Sequence, residues 1–237
     1  MTTGSLSRSL LRPLLCACGC LSFLFATALR GTQSPVFPDC LNVSASRNQF
    51  RPTDHSECSK DVLNLGSDKT IDDGEVLLGI TPQEVKFIGC AAAPFVTFPA
   101  PGLHSKFNIY YPTVVRFEHD GYIAPLLHEM GHVFQLKQSG SYAKLKASLD
   151  DSIERIELGA DFIGGFGASR LGLEPNAFLL NLSLVGSYNH GDFDSHGRPE
   201  DRAAAFRSGY FYQEKQATIG DAYADFQDNR FAQIKHQ

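Results

Sequence analysis

Residues 126–136 read LLHEMGHVFQL. Two histidines, His128 and His132, stand four apart, and Glu129 follows the first. Four residues make about one helical turn, so on a helix both imidazoles leave from one face and can aim ring nitrogens at a single ion. Zinc accepts neutral imidazole nitrogen at about 2.0–2.1 Å. A glutamate directly after the first histidine projects to the flank of such a site, where it reaches a metal-bound water without ligating the metal. Leu126, Leu127, Met130, Val133 and Phe134 supply apolar packing, and Gly131 leaves room beside the ligands for another element. The chemistry expected of this set is hydrolysis by zinc-activated water with Glu129 as general base.

A catalytic zinc takes three protein ligands and keeps a fourth position open. Residues 152–165, SIERIELGADFIGG, place Glu157 and Asp161 four apart on a second helix. Glu157 is the expected third ligand, with His190 and His196 as competing donors. Asp161, one turn on, is placed to accept an N–H from a ligand histidine and fix its ring. Residues 190–206, HGDFDSHGRPEDRAAAF, begin in turn formers and become helical. His196 and Arg202 span that change and form a candidate pair of neutral or cationic donors. Taken alone, these last two segments read as a solvated acidic helix face and a surface loop. Downstream of a two-histidine helix, the ligand reading of the carboxylates is the stronger.

HEMGH, then Glu157-Leu158-Gly159-Ala160-Asp161 as E-x-x-A-D, then H-G-x-P-x-x-R from His196 to Arg202, resembles the gluzincin metallopeptidases. Within that group the sequence is most similar to the CAAX prenyl protease family and its soluble periplasmic relatives, over about residues 118–207. It departs in having Gly197, not proline, next to His196. The resemblance implies a zincin-like fold. It implies zinc held by His128, His132 and Glu157, Glu129 as general base, and Asp161 behind a ligand. It also implies that His196 and Arg202 stabilise the oxyanion or hold their loop over the site. Residues 106–111, KFNIYY, would be the edge strand that pairs with a substrate peptide. The membrane helices of the prenyl protease have no counterpart here, so its lipidated substrates are not implied.

The elements that must position these residues read as α+β: a small, mostly antiparallel sheet first, then a helical region carrying the HExxH helix. Strands are expected at 75–80 (EVLLGI), 84–88 (EVKFI), 95–98 (FVTF), 106–111 and 113–117 (TVVRF). The HExxH helix is expected to carry Pro125 in its first turn and to stop at Gly140, with Ser141 capping the next helix. Further helices are expected within 149–171, 174–185, 199–212 and 219–234. Residues 29–70, rich in Pro, Ser, Asn and Asp, read as an irregular lead-in, and 71–237 as the metallopeptidase domain.

Residues 1–28 read as a signal peptide: Arg8 and Arg12, an apolar run, then Ala26-Thr27-Ala28 with cleavage expected after Ala28. This predicts a secreted or periplasmic protein without a transmembrane segment after processing; an uncut anchor and a lipoprotein are the rivals. Cys40, Cys58 and Cys90 remain after processing. An oxidising compartment suggests a Cys40–Cys58 disulfide, with Cys90 a small buried residue. Asn42 and Asn181 head glycosylation sequons. The net charge of -5, with no basic block, argues against a nucleic-acid partner held by phosphate neutralisation. The expected partner is a peptide or protein substrate. Two other readings stand beside an endopeptidase: a zinc-binding module without catalysis, and a zinc amidase acting on a non-peptide amide such as a cell-wall component.

Overall fold

A computed structural model describes residues 58, 61–91, 93, 95–100, 106–113, 119–185, 197–214 and 216–234. The signal segment, Cys40, the Asn42 sequon, nearly all of the strand expected at 113–117, His190 and His196 lie outside the described residues.

The protein is α+β. In chain order, α1 is Lys69–Leu77, β1 is Val85–Cys90, β2 is Val96–Pro99 and β3 is Phe107–Pro112. Then follow α2 (His119–Ser139), α3 (Tyr142–Ser148), α4 (Ile153–Arg170), α5 (Pro175–Val185), α6 (Pro199–Tyr210), α7 (Ile219–Asp225), a π-helical turn at Phe226–Arg230 and α8 (Phe231–Ile234).

The strand expected at 75–80 is instead the end of α1. Asp68 caps that helix, its carboxylate accepting the N–H groups of Thr70 and Ile71. Gly79 then turns the chain at φ +63, in the left-handed region open to glycine. With the start signal at Asp68, the apolar residues Ile71, Leu77 and Leu78 fall on the helix's buried side while Val76 faces water. Helix therefore begins inside what the sequence presented as irregular lead-in.

The sheet has the order β1-β3-β2. β1 runs parallel to β3, Phe87 facing Ile109, and β2 runs antiparallel to β3, Thr97 facing Ile109. It is thus mixed, not mostly antiparallel: the chain leaves β1, makes β2, and inserts β3 between the two. Residues 106–111 therefore supply the central strand, flanked on both sides, and not an edge strand.

The disulfide joins Cys58 to Cys90, not Cys40 to Cys58. Cys90 ends β1 in a small apolar cluster with Val96 and Tyr110, and Cys58 packs against that cluster. Tyr111 reinforces the attachment: its hydroxyl accepts the Val62 N–H at 2.8 Å and donates to Asp61 at 2.8 Å.

α2 and α4 are the central helices. From Leu126 to Leu136 every residue of α2 is buried, as is every residue of α4 from Ile156 to Ala168. A helix buried all round must meet neighbours on every side. α2 has the sheet, α1, α3, α4 and α5; α4 has α2 and α6. Pro125 lies inside α2, well beyond its first turn, where its ring forgoes one helix hydrogen bond. The expected stop holds: Gly140 adopts φ +77, and the Ser141 hydroxyl accepts the Lys144 N–H. The other expected helices are present as α4 to α8.

Candidate metal centre

The site forms where α2 crosses α4. Gly131 allows the approach: a Cβ there would stand 3.0 Å from the Ala160 carbonyl oxygen. On the other side Gly164 of α4 faces the backbone of His128. The crossing sets one face of α2, with His128 and His132, against the turn of α4 that holds Glu157 and Asp161.

His128, His132 and Glu157 converge with all three side chains buried. The two imidazole Nε2 atoms are 3.1 Å apart. Glu157 places one oxygen 3.4 Å from His128 Nε2 and the other 3.6 Å from His132 Nε2.

The tautomers follow from what lies behind each ring. Asp161 Oδ1 sits 2.8 Å from His128 Nδ1, and an ionised carboxylate can only accept, so Nδ1 carries the proton. Arg202 grips the same carboxylate in a fork, Nε to Oδ2 at 2.7 Å and a terminal nitrogen to Oδ1 at 2.9 Å. Burial alone would raise the pKa of Asp161, but Arg202 and then His128 outweigh it and hold the group below the usual carboxylate range. Behind His132, the Gln135 Oε1 atom lies 2.9 Å from Nδ1. Both rings therefore carry their proton on Nδ1 and turn an Nε2 lone pair toward the other ring and Glu157. Two lone pairs and a carboxylate facing one another repel, and a cation between them turns that repulsion into ligation.

The spacing suits a small tetrahedral ion. Ligand atoms about 2.0–2.1 Å from such a centre are roughly 3.3 Å apart. The two Nε2 atoms, 3.1 Å apart, lie close to that value, the two Glu157 oxygens stand 3.4 and 3.6 Å from one ring each, and one atom from each of the three groups lies within 4.8 Å of the others. Two imidazoles and a carboxylate form a donor set suited to zinc. The group is one that could hold a metal ion.

Glu129 is 1 % exposed. The Thr97 hydroxyl on β2 donates to Glu129 Oε2 at 2.7 Å. Oε1 is also buried and meets no hydrogen-bond partner among the described residues. Burial is the main cause that raises the pKa of Glu129, against the opposing pull of His132, His128 and Thr97. A carboxylate pushed in that direction is a better proton acceptor than one in water.

The structure thus brings together five of the residues singled out in the sequence around the α2–α4 crossing: His128, Glu129, His132, Glu157 and Asp161. Arg202 reaches them from α6, on the Nδ1 side of His128, which is turned away from the ligand cluster. His196 lies outside the described residues, so its relation to the site is not described. Thr97 and Gln135 were not singled out. Gln135 had one signal, its place three residues after His132; Thr97 had none, because only the sheet topology carries β2 to α2.

Comparison of the chain with protein-family models, curated proteins and solved structures finds no match.

Proposed function

We propose that this chain is a zinc-dependent endopeptidase with a zincin-like catalytic domain. The observation that carries the reading is the convergence of His128, His132 and Glu157 with a buried carboxylate, Glu129, beside them. A site that served only to hold a metal would have no use for that extra carboxylate.

Zinc held by the three ligands would supply Lewis acidity toward a carbonyl oxygen and lower the pKa of a bound water from 15.7 to about 7. Glu129 accepts the water's proton at Oε1 and later delivers it to the leaving amine, while Thr97 holds Oε2. Asp161 keeps His128 in the ligating tautomer, and Gln135 does the same for His132. Arg202, with its guanidinium on Asp161, acts through that carboxylate as a positioning residue. His196, implied by the resemblance alone, is left as the candidate oxyanion donor from the residues that precede α6 in the sequence.

β2 is the strand to receive substrate. It lies at the sheet edge among the described residues, it carries Thr97, and α2 packs against it. Val96 and Thr97 are buried and only Phe98 and Pro99 are accessible, so an extended peptide would pair with main-chain groups at that end of the strand, a mode that gives affinity with weak sequence preference.

A signal peptide ending at Ala28 would deliver the enzyme to the periplasm or the exterior. The Cys58–Cys90 disulfide supports an oxidising compartment. Among the described residues no helix is long and apolar enough to cross a membrane.

The test is elemental analysis joined to peptide-library cleavage read by mass spectrometry. One zinc per chain and internal cleavage are expected, with Glu129→Gln keeping the zinc and losing the cleavage. Cleavage retained by Glu129→Gln would remove Glu129 as base. Zinc with no peptide cleaved would sink the endopeptidase reading, and product analysis on cell-wall fragments would then separate an amidase from a non-catalytic module.

A further inference from the structure

Gln135 and Tyr223 form a hydrogen-bonded chain from the C-terminal helices to His132. Gln135 is fully buried and makes three polar contacts with its amide. Nε2 donates to the Ile156 carbonyl at 2.8 Å and to the Tyr223 hydroxyl at 3.1 Å, and Oε1 accepts from His132 Nδ1 at 2.9 Å. A backbone carbonyl can only accept, so the Ile156 contact fixes which end of the amide is nitrogen. With the amide fixed, its oxygen faces the imidazole and His132 can only donate to it.

A second observation shows that α4 makes room for this arrangement. A Cβ on Gly159 would stand 2.6 Å from Gln135 Nε2 and 3.0 Å from a Tyr223 ring carbon. Glycine is otherwise a poor choice inside a helix, about 1 kcal/mol worse than alanine. Here it leaves the volume that the Gln135 amide and the Tyr223 ring occupy.

We infer that Gln135 and Tyr223 are positioning residues of the metal centre: the chain Tyr223–Gln135–His132 fixes the ligating tautomer of His132 and so sets metal affinity from α7, 88 residues along the chain. This rests on the metal reading of the site and assigns part of its affinity to a helix that contributes no ligand. Partners behind a ligating histidine typically change metal affinity by about 10–100-fold when removed. Gln135 falls in that range. Tyr223, one bond further out, should account for about 3–10-fold.

Tyr223 also lines a cleft of about 450 Å³ with Phe134, Leu145 and Leu149. Tyr223→Phe removes one hydroxyl and leaves the ring and the packing of α2 on α4 in place, so the variant should fold. Gly159→Ala is complementary: it keeps every hydrogen-bonding group, improves helix propensity, and displaces the Gln135 amide.

The experiment measures zinc affinity by competition with a chromogenic chelator, beside the melting temperature of each metal-free protein and the imidazole ¹⁵N shifts of its histidines. Wild type should show His132 protonated at Nδ1 before zinc is added. Gln135→Leu should give mixed tautomers and about 10–100-fold weaker zinc binding. Tyr223→Phe should weaken zinc binding by about 3–10-fold with little change in metal-free melting temperature, and Gly159→Ala, which crowds Gln135 and Tyr223, should weaken it by more than its lowered metal-free melting temperature explains. Tyr223→Phe should have no further effect in a Gln135→Leu background.

Unchanged zinc affinity in both Tyr223→Phe and Gly159→Ala would overturn the inference and leave the network a packing feature. Losses of affinity that merely track metal-free stability would overturn it equally. Failure of the wild-type protein to bind zinc at all would instead sink the metal reading itself, a result these variants do not mimic.

Discussion

His128 and His132 turn their Nε2 lone pairs toward each other across 3.1 Å, with a proton on the far nitrogen of each ring. While both Nε2 atoms are bare no hydrogen bond joins them, and only a proton or a metal ion placed between them relieves the repulsion. The pair is electrostatically unfavourable until a cation lies between them, and metal binding should therefore be linked to stability. Zinc at 100 times its dissociation constant should stabilise the fold by about 2.7 kcal/mol, read as a rise in melting temperature over chelator-treated protein. Glu157→Ala should weaken zinc binding about a hundredfold or more. Unaltered affinity in that variant would exclude Glu157 as a ligand.

Thr97 offers a cleaner probe of the proposed catalysis, because it touches the proposed base, Glu129, and none of the proposed ligands. Thr97→Val keeps the shape but leaves Glu129 Oε2 without its donor. The loss of one hydrogen bond to a charged group should lower kcat about tenfold, with zinc content and KM nearly unchanged. Thr97→Ser keeps a hydroxyl on the same strand and should retain most of the rate. Equal losses in both variants would point to packing of β2 on α2 as the real contribution of Thr97.

Arg202 and Asp161 form a buried ion pair, 2 % and 1 % exposed. Removing one member of such a pair costs about 3–5 kcal/mol, because the other charge stays behind without compensation. Arg202→Leu should show a loss of that order in urea denaturation, and Arg202→Leu with Asp161→Asn should recover part of it. The folded-state pKa of Asp161 is depressed, so its contribution is present above the unfolded carboxylate pKa and fades as pH falls through the folded value. The gap between wild type and Arg202→Leu should accordingly narrow in strong acid.

Glu75 has the opposite sign. It is 3 % exposed on α1, and burial, with Asp72 and Glu84 adding repulsion, pushes its pKa up to about 7. A carboxyl group whose folded pKa is raised destabilises the fold as pH climbs from the unfolded value through the folded one. Glu75→Gln should leave stability nearly unchanged at pH 4.5 and raise it by on the order of 1–2 kcal/mol at pH 8. A pH-independent difference in melting temperature would show that the carboxyl group is not held in this state.

How legible all this was depends on how local the signal is. The i, i+4 pairs, His128 with His132 and Glu157 with Asp161, could be read because helical periodicity alone fixes which side chains share a face. Gly140 and Ser141 could be read because a stop and a cap are made within a few residues. The segment 75–80 could not: EVLLGI is a short apolar run that suits strand or helix, and the capping carboxylate that decides the matter, Asp68, lies seven residues upstream of it. Strand neighbours were equally hidden. Nothing local in KFNIYY says that β1 will lie parallel on one side and β2 antiparallel on the other. The Thr97–Glu129 contact depends on that same pairing.

The glycines between α4 and α6 bear on how the site can open. A Cβ on Gly165 would lie 2.1 Å from the Phe206 carbonyl oxygen, and one on Gly209 would lie 2.0 Å from that of Phe162. The two backbones therefore meet with no side chain between them to act as a lubricant. Glu157, Asp161 and Arg202 must travel as one rigid block, because sliding either helix would drive main-chain atoms into each other. Sliding of α4 on α6 is therefore not the motion that would open this site.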